Sequence, residues 1–275
     1  MVALRNRVAL LTGATGGLGP AIARALAREG MDLALSARGE PALEALCREL
    51  EAEGVRCAPL AADLGDRGDV AALPDRVADA LGPIDLLVHN AAGDVCASFE
   101  RTTSEEIRDL VDVNLTAPLE LTRRVVEPMR ERGRGHVVFV ASISGYTGTA
   151  YEATYAATKG ALIALSRSLR AEYVDEAVSF SVVSPGSVAG QGIFARAQAD
   201  GLEVPGAMKL TTPEKVADAV VRAAAKDLPE VVVYPGPIKP GLALGLLAPR
   251  AFEHINERLG LGRMFRPAAV ARGRA

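Results

Sequence analysis

Short apolar runs rich in Val, Leu and Ile alternate along this chain with longer Ala-rich segments of helical period. Such an alternation is typical of successive βαβ units. Because the runs are apolar on both faces, they suit a parallel sheet covered by helices on each side. The pattern predicts seven strands, at Val8–Thr12, Asp32–Ser36, Arg56–Ala61, Ile84–Asn90, Val137–Ser142, Ser179–Ser184 and Val231–Tyr234.

The Ala-rich segments between these runs end at typical helix-terminating residues. Gly30 and Gly54 fall just past two of them, where glycine readily adopts the left-handed conformation of a helix C-terminus. Thr212, followed by Pro213, is typical of an N-cap with proline at the first helical position. We predict helices at Pro20–Arg28, Pro41–Glu53, Val70–Leu81, a long pair of segments spanning Ser104–Arg132, Ala153–Tyr173 and Pro213–Lys226.

Composition favours a globular protein that binds small molecules. Of 275 residues, 49% are apolar and 24% are charged, which permits a large core. A formal net charge of −3 gives no overall attraction for nucleic acid or an anionic membrane. The apolar stretch Leu242–Ala248 is far shorter than the roughly 20 residues of a transmembrane helix. We therefore expect neither a nucleic-acid partner nor a membrane span.

The cysteines and histidines indicate neither a disulfide framework nor a metal site. Cys47, Cys57 and Cys96 are odd in number and form no C-x-x-C pair, so we expect a reducing, cytoplasmic environment. His89, His136 and His254 show no ligand spacing, and no metal is expected. The apolar start of the chain lacks the cleavage site of a signal peptide and is predicted to be a strand.

A glycine-rich turn joins the first predicted strand to the first helix, with the sequence TGATGGLG at residues 12–19. Glycines permit a tight turn and close approach to a pyrophosphate, whose charge the following helix N-terminus favours. The spacing is G-x-x-x-G-x-G, and such turns also occur for packing reasons alone. The candidate phosphate-binding residues are Gly13, Thr15, Gly16, Gly17, Leu18 and Gly19.

Arg38 follows the second predicted strand, where a site that prefers NAD usually places an acidic residue. No acidic residue stands at this strand end. A guanidinium there suits the 2′-phosphate of NADP, because its geometry matches phosphate and its charge is permanent. The sequence favours NADP as the cofactor, although a solvated surface arginine would give the same pattern.

Tyr155 and Lys159 lie four residues apart in a predicted helix, so both project from one face. A nearby ammonium stabilises phenolate and lowers the pKa of a tyrosine towards the range of a general acid or base. Taken alone, the pair is most often helix-surface decoration. Ser142 ends the fifth predicted strand and Asn114 lies in the long helical region, which adds polar groups near the edge where open α/β sheets bind ligands.

The order and spacing of these elements resemble the short-chain dehydrogenase/reductase family over roughly residues 5–235. The resemblance implies a Rossmann-like, doubly wound α/β fold with a seven-stranded parallel sheet flanked by helices. It is carried by TGATGGLG at 12–19, Asp63, His89-Asn90-Ala91-Ala92-Gly93, Asn114, Ser142, Tyr155-Ala156-Ala157-Thr158-Lys159 and Pro185-Gly186.

The resemblance also implies roles in hydride transfer between a nicotinamide and a carbonyl or alcohol carbon. Tyr155 would act as the general acid or base. Ser142 would hydrogen-bond the reacting oxygen. Lys159 would hold the nicotinamide ribose and lower the pKa of Tyr155, and Asn114 would order a water of the proton relay.

Further cofactor contacts follow from the same resemblance. They are Asp63, which resembles the adenine-contacting aspartate, with Leu64, Asn90, Ala91, Pro185, Gly186 and Val188. Taken singly, Asp63 could cap a turn, Asn90 could shape a loop, and Ser142 could satisfy the strand end.

The chain departs from the family pattern at Gly190, where a polar residue often contacts the carboxamide; backbone groups near Val188 could replace that contact. His89 replaces the first asparagine of its motif.

Substrate contacts are expected from residues 94–100, 145–154 and 191–210. Tyr146, Tyr151 and Phe194 are candidate wall residues beside Ser142, although core packing explains them equally well. The expected substrate is a small carbonyl or alcohol compound.

We predict one catalytic domain over residues 1–235 and a partly helical extension over 236–275, packed on the same domain or frayed from it, where Pro/Gly-rich sequence gives way to an apolar and basic segment. Composition favours an irregular extension with a frayed tail. A helix that covers the substrate mouth, contacts another subunit or touches a membrane is the alternative. The family resemblance implies a homodimer or homotetramer, paired through residues 104–132 and 153–173; alanines at 156, 157, 161 and 164 would permit close contact.

Two other functions are compatible with the same fold. One is a non-catalytic sensor or scaffold that binds a nicotinamide dinucleotide. The other is a cofactor-assisted epimerase or dehydratase. The complete set of Ser142, Tyr155, Lys159 and Asn114 favours a reductase or dehydrogenase over a sensor.

Overall fold

The computed structural model describes residues 4–190, 192–202, 204–206 and 208–275. Seven parallel strands form one sheet in the order β3-β2-β1-β4-β5-β6-β7. The strands are β1 (Val8–Thr12), β2 (Asp32–Ala37), β3 (Cys57–Ala61), β4 (Leu86–His89), β5 (Gly135–Val140), β6 (Val178–Pro185) and β7 (Glu230–Val233). The predicted seven-stranded parallel sheet is confirmed, with strand ends shifted by one to two residues at most positions.

Helices cover both faces of this sheet. In chain order they are α1 (Gly19–Arg28), α2 (Glu40–Glu51), α3 (Arg67–Leu81), α4 (Ser104–Val111), α5 (Ala117–Glu131), α6 (Ser144–Thr147), α7 (Ala153–Glu172), α8 (Gly192–Ala199), α9 (Pro213–Lys226), α10 (Lys239–Leu247), α11 (Pro249–Arg258) and α12 (Arg266–Ala271). Between α4 and α5 the chain forms a π-helical turn at Asp112–Thr116. Such a turn inserts an extra residue into the helix and often marks a functional site.

Two apolar clusters fill the space between the sheet and its helices. On one face Leu11, Ile22 and Val220 are fully buried with side chains from α1, α2 and α9. On the other face Leu10 and Phe139 are fully buried with side chains from α3, α5 and α7. Neighbouring strand residues therefore face opposite clusters, as the apolar character of both strand faces predicts.

The order of elements places a topological switch between β1 and β4. From β1 the chain proceeds to β2 and β3 on one side, then returns to β4 on the other side of β1. Crevices at such a switch, outside the carboxyl ends of the strands, are where open α/β sheets bind ligands. The loops that follow β1 and β4 are therefore expected to line the main cleft.

The C-terminal segment is more regular than its composition indicates. Residues 239–271 include α10, α11 and α12. Phe265, Ala268 and Ala269 are buried in a third cluster with Phe194 of α8. Arg274 forms a two-pronged ion pair with Glu106, whose carboxylate also completes the capping box at the start of α4. Apolar packing and ion pairs thus fix the segment against the remainder of the fold.

The expectation that the cysteines are unpaired is wrong for Cys47 and Cys57, which form a disulfide. Cys47 lies near the end of α2 and Cys57 begins β3, so a single helix-to-strand connection brings their Cα atoms to 5.2 Å, a normal spacing for a disulfide. Cys96 is free and buried. The cysteine pattern therefore no longer argues for a reducing compartment. Among the described residues, no helix combines the length and apolarity that crossing a bilayer requires.

Candidate active site

One large cavity lies at the carboxyl edge of the sheet and has a volume of about 1430 Å³. This exceeds the roughly 300–1,000 Å³ of ordinary ligand pockets and leaves room for a dinucleotide beside a second molecule. Loops that follow β1, β2, β4, β5 and β6 contribute to its wall. The residues singled out from sequence that line it are Gly13, Thr15, Gly16, Gly17, Leu18, Arg38, Asp63, Leu64, Asn90, Ala91, Ser142, Tyr155, Lys159, Pro185, Gly186, Val188 and Phe194.

Four of the candidate residues lie outside the cavity wall, among them Tyr146, whose hydroxyl contacts Ser184. Gly19 begins α1, where a Cβ atom would lie 2.3 Å from the Gly13 carbonyl oxygen, so its role is close packing. Asn114 is fully buried behind the cavity. Tyr151 packs against the cluster around Phe265 and does not line the cavity. Gln191, within the expected substrate region, lies outside the described residues.

Hydrogen bonds from β4 and the loop that follows it hold the glycine turn in place. The Thr12 hydroxyl donates to the Val88 carbonyl and accepts from the backbone amides of Asn90 and Ala91. The Asn90 side chain donates to the carbonyls of Thr12 and Gly13, at 3.2 and 3.0 Å. Gly13 has a φ of 65°, and a Cβ there would lie 2.6 Å from the Cα of Ala91. Only glycine satisfies both demands.

The turn fits a dinucleotide phosphate. No side chain caps the N-terminus of α1, and Gly16, Gly17 and Leu18 present this helix end to the cavity. A Cβ at Gly16 would meet no atom within 4 Å, so the space above the turn is open. An uncapped helix N-terminus attracts anions through its free amides and its dipole. The cavity thus has an uncapped helix N-terminus and an open glycine turn, which could hold a pyrophosphate, at the position of the predicted phosphate-binding turn. We call this turn the phosphate seat.

Polar groups beside this seat match the remainder of a nucleotide. The Ser36 hydroxyl at the end of β2 is buried, lines the cavity and has no hydrogen-bond partner among the described residues. Arg38 is exposed two residues later, and no carboxylate of the described chain pairs with it. Asp63 accepts a hydrogen bond from the Gly65 amide at 2.9 Å while lining the cavity. Asp63 therefore shapes the turn and still faces the ligand space.

Tyr155 and Lys159 project from one face of α7 into the cavity, together with Ser142, which follows β5. The Lys159 ammonium lies 5.6 Å from the centroid of the Tyr155 ring and donates a hydrogen bond of 2.9 Å to the Val140 carbonyl. The Ser142 hydroxyl accepts from the Ser144 amide at 3.2 Å. The three side chains that the sequence singles out are thus brought together at one place.

The electrostatics of this group differ from expectation in one respect. Burial, and secondarily the neighbouring Glu152 carboxyl, raises the pKa of Tyr155, whereas the Ser142 hydroxyl acts in the opposite direction. Desolvation lowers the pKa of Lys159 to about 8. The resemblance implies that Lys159 lowers the pKa of Tyr155, but burial is the largest influence on this pKa and raises it. The Lys159 ammonium donates its hydrogen bond to the Val140 carbonyl. The phenol is held in its protonated form at neutral pH.

Asn114 lies in the π-helical turn and connects two parts of the site. Its side chain bonds both backbone groups of Gly93 and donates to the Thr158 hydroxyl at 3.3 Å. Thr158 is the neighbour of Lys159 on α7. Asn114 therefore joins the loop after β4 to the helix that carries Tyr155 and Lys159.

The segment after β6 differs from the family pattern, as the sequence indicates. Gly190 has a φ of 74°, a conformation that favours glycine. Val188 pairs with Thr211 in an isolated parallel bridge and lines the cavity. Backbone groups at Val188 are thus fixed beside the cofactor space, whereas Gly190 offers no side chain for a carboxamide contact.

Sequence reasoning missed one feature of the cavity and gave a second only as an alternative. The first is Glu152, a buried acid that lines the cavity. Its position three residues before Tyr155 could have indicated that it lies near the catalytic group. The second is an apolar wall from the C-terminal helices, for which the apolar run after residue 240 was the signal. Its members include Leu242, Leu244, Phe252, Ile255, Leu261, Met264 and Phe265.

A doubly wound parallel sheet with a phosphate seat at its switch point and a Ser-Tyr-Lys group in the same cavity defines a nicotinamide-dependent oxidoreductase. Comparison with known proteins agrees. The family model of the short chain dehydrogenases matches residues 7–200. This chain belongs to the short-chain dehydrogenase/reductase family and is an NAD(P)-dependent dehydrogenase or reductase.

Individual relatives extend over most of the chain. A ketoacyl reductase, HetN, from a Nostoc species is 34% identical over 266 residues, which cover 95% of this chain and 92% of that protein. The 3-oxoacyl-[acyl-carrier-protein] reductase MabA of Mycobacterium avium is 31% identical over 87% of this chain and 91% of its own. A metagenomic short-chain oxidoreductase solved in complex with NADP is 33% identical, with a TM-score of 0.73, and covers 86% of this chain and 100% of its own.

Proposed function

We propose that this protein is an NADP(H)-dependent reductase that converts a carbonyl group on an apolar substrate into an alcohol. The observation that carries the proposal is the convergence of Ser142, Tyr155 and Lys159 in the cavity that also contains the phosphate seat. The proton donors and the cofactor site then lie in the same cavity. Hydride transfer requires this, because cofactor and substrate must be held next to each other.

Tyr155 is the proton donor in this proposal. Burial raises the pKa of its phenol, so the group enters the reaction protonated, which is the state that reduction of a carbonyl needs. The Ser142 hydroxyl donates a hydrogen bond to the same oxygen and stabilises the charge that develops there. When bound, the reduced nicotinamide supplies a hydride to the carbonyl carbon.

Lys159 and Asn114 support the proton donor. The Lys159 ammonium is buried behind Tyr155 and holds the ribose next to the nicotinamide. After the proton leaves the phenol, this positive charge stabilises the phenolate until a proton returns. Asn114, bonded to Thr158 beside Lys159, keeps α7 and the loop after β4 in register and orders the water that returns the proton.

NADP is the proposed cofactor. Arg38 is exposed at the end of β2, lines the cavity and has no ion-pair partner among the described residues. A guanidinium of this kind is suited to a bidentate contact with a 2′-phosphate. The NADP-bound relative of known structure is compatible with this choice.

The substrate is proposed to carry an apolar chain. The wall formed by α10, α11 and the segment up to Phe265 is rich in Leu, Ile, Met and Phe side chains. Phe194 of α8 also lines the cavity and is a candidate substrate contact. Two relatives are named as reductases of ketoacyl compounds. A ketone attached to an aliphatic or acyl chain is therefore the first substrate class to assay.

Homo-oligomerisation is part of the proposal. Ala157, Ala164 and Ser168 are exposed along one side of α7, with Ala161 partly exposed between them. Small side chains along a helix face permit close helix packing, so α7 with α5 is the proposed contact between subunits of a homodimer or homotetramer.

The decisive experiment compares Tyr155→Phe with Tyr146→Phe. The hydroxyl of Tyr146 contacts Ser184 rather than the cavity, which makes it a matched control for loss of a phenol. We expect Tyr155→Phe to lower kcat by about 10²- to 10⁴-fold, the usual contribution of a general acid, with NADPH binding retained. Turnover that survives Tyr155→Phe would overturn the proposal. NADPH binding without turnover in the unaltered chain would identify a sensor instead.

A further inference from the structure

Glu152 is a buried acid that neither the fold nor the proposed chemistry requires. It precedes the first residue of α7, is 3% exposed and lines the cavity. Its Oε1 is buried and has no hydrogen-bond partner among the described residues. Although it occupies the N-cap position, its side chain makes no capping hydrogen bond. An unpartnered polar atom in a cavity wall is costly and indicates a missing partner.

The charged groups around Glu152 are already paired with one another. Asp94, in the loop after β4, forms an ion pair with Arg196 of α8. Arg272, just after α12, forms one with Asp200. The other titratable neighbours are the Tyr155 phenol and the Cys96 thiol. Neither arginine is thus free to neutralise an ionised Glu152.

Burial, reinforced by Asp94 and opposed by Arg272, raises the pKa of Glu152 to about 8. Near neutral pH the side chain is therefore a carboxylic acid with one O–H donor and one carbonyl acceptor. A donor of this kind requires an acceptor; no described residue bonds Oε1, and Glu152 lines the cavity. The acceptor must then come from a molecule that enters the cavity.

We propose that Glu152 is a specificity-determining residue that hydrogen-bonds a second oxygen of the substrate, a carbonyl or hydroxyl close to the reacting carbonyl. Glu152 and Tyr155 are three residues apart, which places them on neighbouring positions of the helix surface. The Glu152 carboxyl is close enough to the Tyr155 phenol to act on it electrostatically, so a substrate whose carbonyl contacts Tyr155 presents its neighbouring atoms to Glu152.

This inference rests on the proposed carbonyl reduction and adds a substrate requirement to it. The apolar wall accepts any aliphatic chain, so by itself it distinguishes substrates only weakly. A buried hydrogen-bonding group discriminates strongly, because a substrate without the matching atom leaves that group unpaired. Glu152 thus separates compounds that carry two neighbouring oxygens from simple ketones of the same length.

The test uses a matched pair of probes, ethyl 3-oxooctanoate and 2-octanone, with the unaltered chain, Glu152→Gln and Glu152→Leu. The glutamine is neutral and keeps both a donor and an acceptor. We expect kcat/KM for the oxo ester to fall about 10- to 100-fold in Glu152→Leu and less than about threefold in Glu152→Gln. An effect of either substitution on Tyr155 applies to both probes, so the measured quantity is the fall in the ratio of kcat/KM for the oxo ester to kcat/KM for 2-octanone.

A second readout is the ratio of the two kcat/KM values as a function of pH. Tyr155 and Lys159 act on both probes alike, so their titration cancels in the ratio. The preference of the unaltered chain for the oxo ester should decline as pH rises through about 8, whereas Glu152→Gln should show a flat ratio. A role limited to folding would not produce this difference.

Three results would overturn the inference. One is an equal loss on both probes in Glu152→Leu, which indicates a structural role. Another is that the unaltered chain has the same kcat/KM for the oxo ester and for 2-octanone. The third is a Glu152→Gln variant as defective as Glu152→Leu, which indicates an ionised carboxylate. If the unaltered chain reduces neither probe, the proposed function fails; calorimetric binding of both probes to the three NADPH-loaded chains then decides the role of Glu152 separately.

Discussion

The side chain of Asn114 forms hydrogen bonds with both backbone groups of Gly93: Oδ1 accepts from the amide at 2.8 Å, and Nδ2 donates to the carbonyl at 3.0 Å. Asn114 is fully buried in the π-helical turn, and Gly93 belongs to the loop that borders the cofactor space. A single amide group therefore fixes a segment of the cavity wall from behind.

Asn114→Ala should destabilise the protein. The substitution removes the partners of two partly buried backbone groups of Gly93 and of the Thr158 hydroxyl, so we expect the free energy of unfolding to fall by about 2–3 kcal/mol, with kcat reduced as the loop moves. Urea denaturation and steady-state kinetics measure the two effects. Asn256→Ala, at a partly exposed position of α11, is the control and should change stability by less than about 0.5 kcal/mol.

Arg38→Ala should reverse or abolish the preference for NADPH. Loss of a charge-assisted contact with the 2′-phosphate should raise KM for NADPH by about 10- to 100-fold and leave KM for NADH nearly unchanged. Arg48→Ala removes an arginine of similar exposure from α2 and serves as the control. Equal effects on the two cofactors would show that Arg38 does not recognise the phosphate.

Lys159→Met should make the protein more stable while abolishing turnover. The folded-state pKa of about 8 lies below the ordinary value of 10.5, so the unfolded chain binds more protons between these values and stability rises with pH there. Below pH 8 the folded protein carries the full cost of a buried charge. We expect a gain of about 1–2 kcal/mol at pH 7, since loss of the bond to Val140 offsets part of it, with the gain fading towards pH 10.5.

Thermal or urea denaturation at pH 7 and pH 10 checks the behaviour of Lys159→Met. A variant less stable than the unaltered chain at pH 7 would mean that the hydrogen bond to the Val140 carbonyl outweighs the cost of burying the ammonium.

The ion pair between Arg274 and Glu106 should give an acid-sensitive contribution to stability. Arg274, together with the Thr103 amide, lowers the pKa of Glu106 to about 2. The contribution is therefore complete above the ordinary value of 4.5 and is lost as pH falls towards 2. Because the pair is partly exposed, we expect Arg274→Met to cost only about 1 kcal/mol at pH 7.

Denaturation of the unaltered chain and Arg274→Met between pH 7 and pH 3 measures this dependence. The difference between them should shrink below pH 4.5, and Arg258→Met on the exposed side of α11 should show no such trend. A difference independent of pH would assign the effect of Arg274 to packing rather than to its charge.

Ala164→Arg should weaken subunit association if the exposed face of α7 forms the proposed contact. A bulky charge would have to be desolvated in a helix interface built on small side chains. Sedimentation or light scattering should detect a shift to a smaller species. Ala72→Arg, at an exposed position of α3, should leave the assembly unchanged, and an unaltered assembly in both variants would rule out this face.

Local sequence patterns were sufficient for much of the fold. Buried parallel strands need apolar residues on both faces, so runs such as Val8–Thr12 could be recognised directly. Residues 112–116 carry no comparable signal, because the helical period continues through them. The π-helical turn at Asp112–Thr116 depends instead on contacts of Asn114 with Gly93 and Thr158, which are distant in sequence.

The candidate site was predictable in position but not in its electrostatics. Tyr155 and Lys159 share a helix face, so their proximity followed from spacing alone. The pKa of each group depends on burial and on partners brought from other elements, such as the Val140 carbonyl and Glu152. The disulfide between Cys47 and Cys57 was missed for a related reason, since the packing of α2 against β3 decides that distance.

The hydroxyl of Thr12 joins the end of β1 to β4 and to the loop that follows β4, through Val88, Asn90 and Ala91, and so holds the backbone near the glycine turn in a single arrangement. A preorganised binding site loses little conformational entropy when its ligand binds. The glycine turn should therefore bind different dinucleotides alike. Selectivity between them should depend on exposed side chains at the edge of the cavity, such as Arg38.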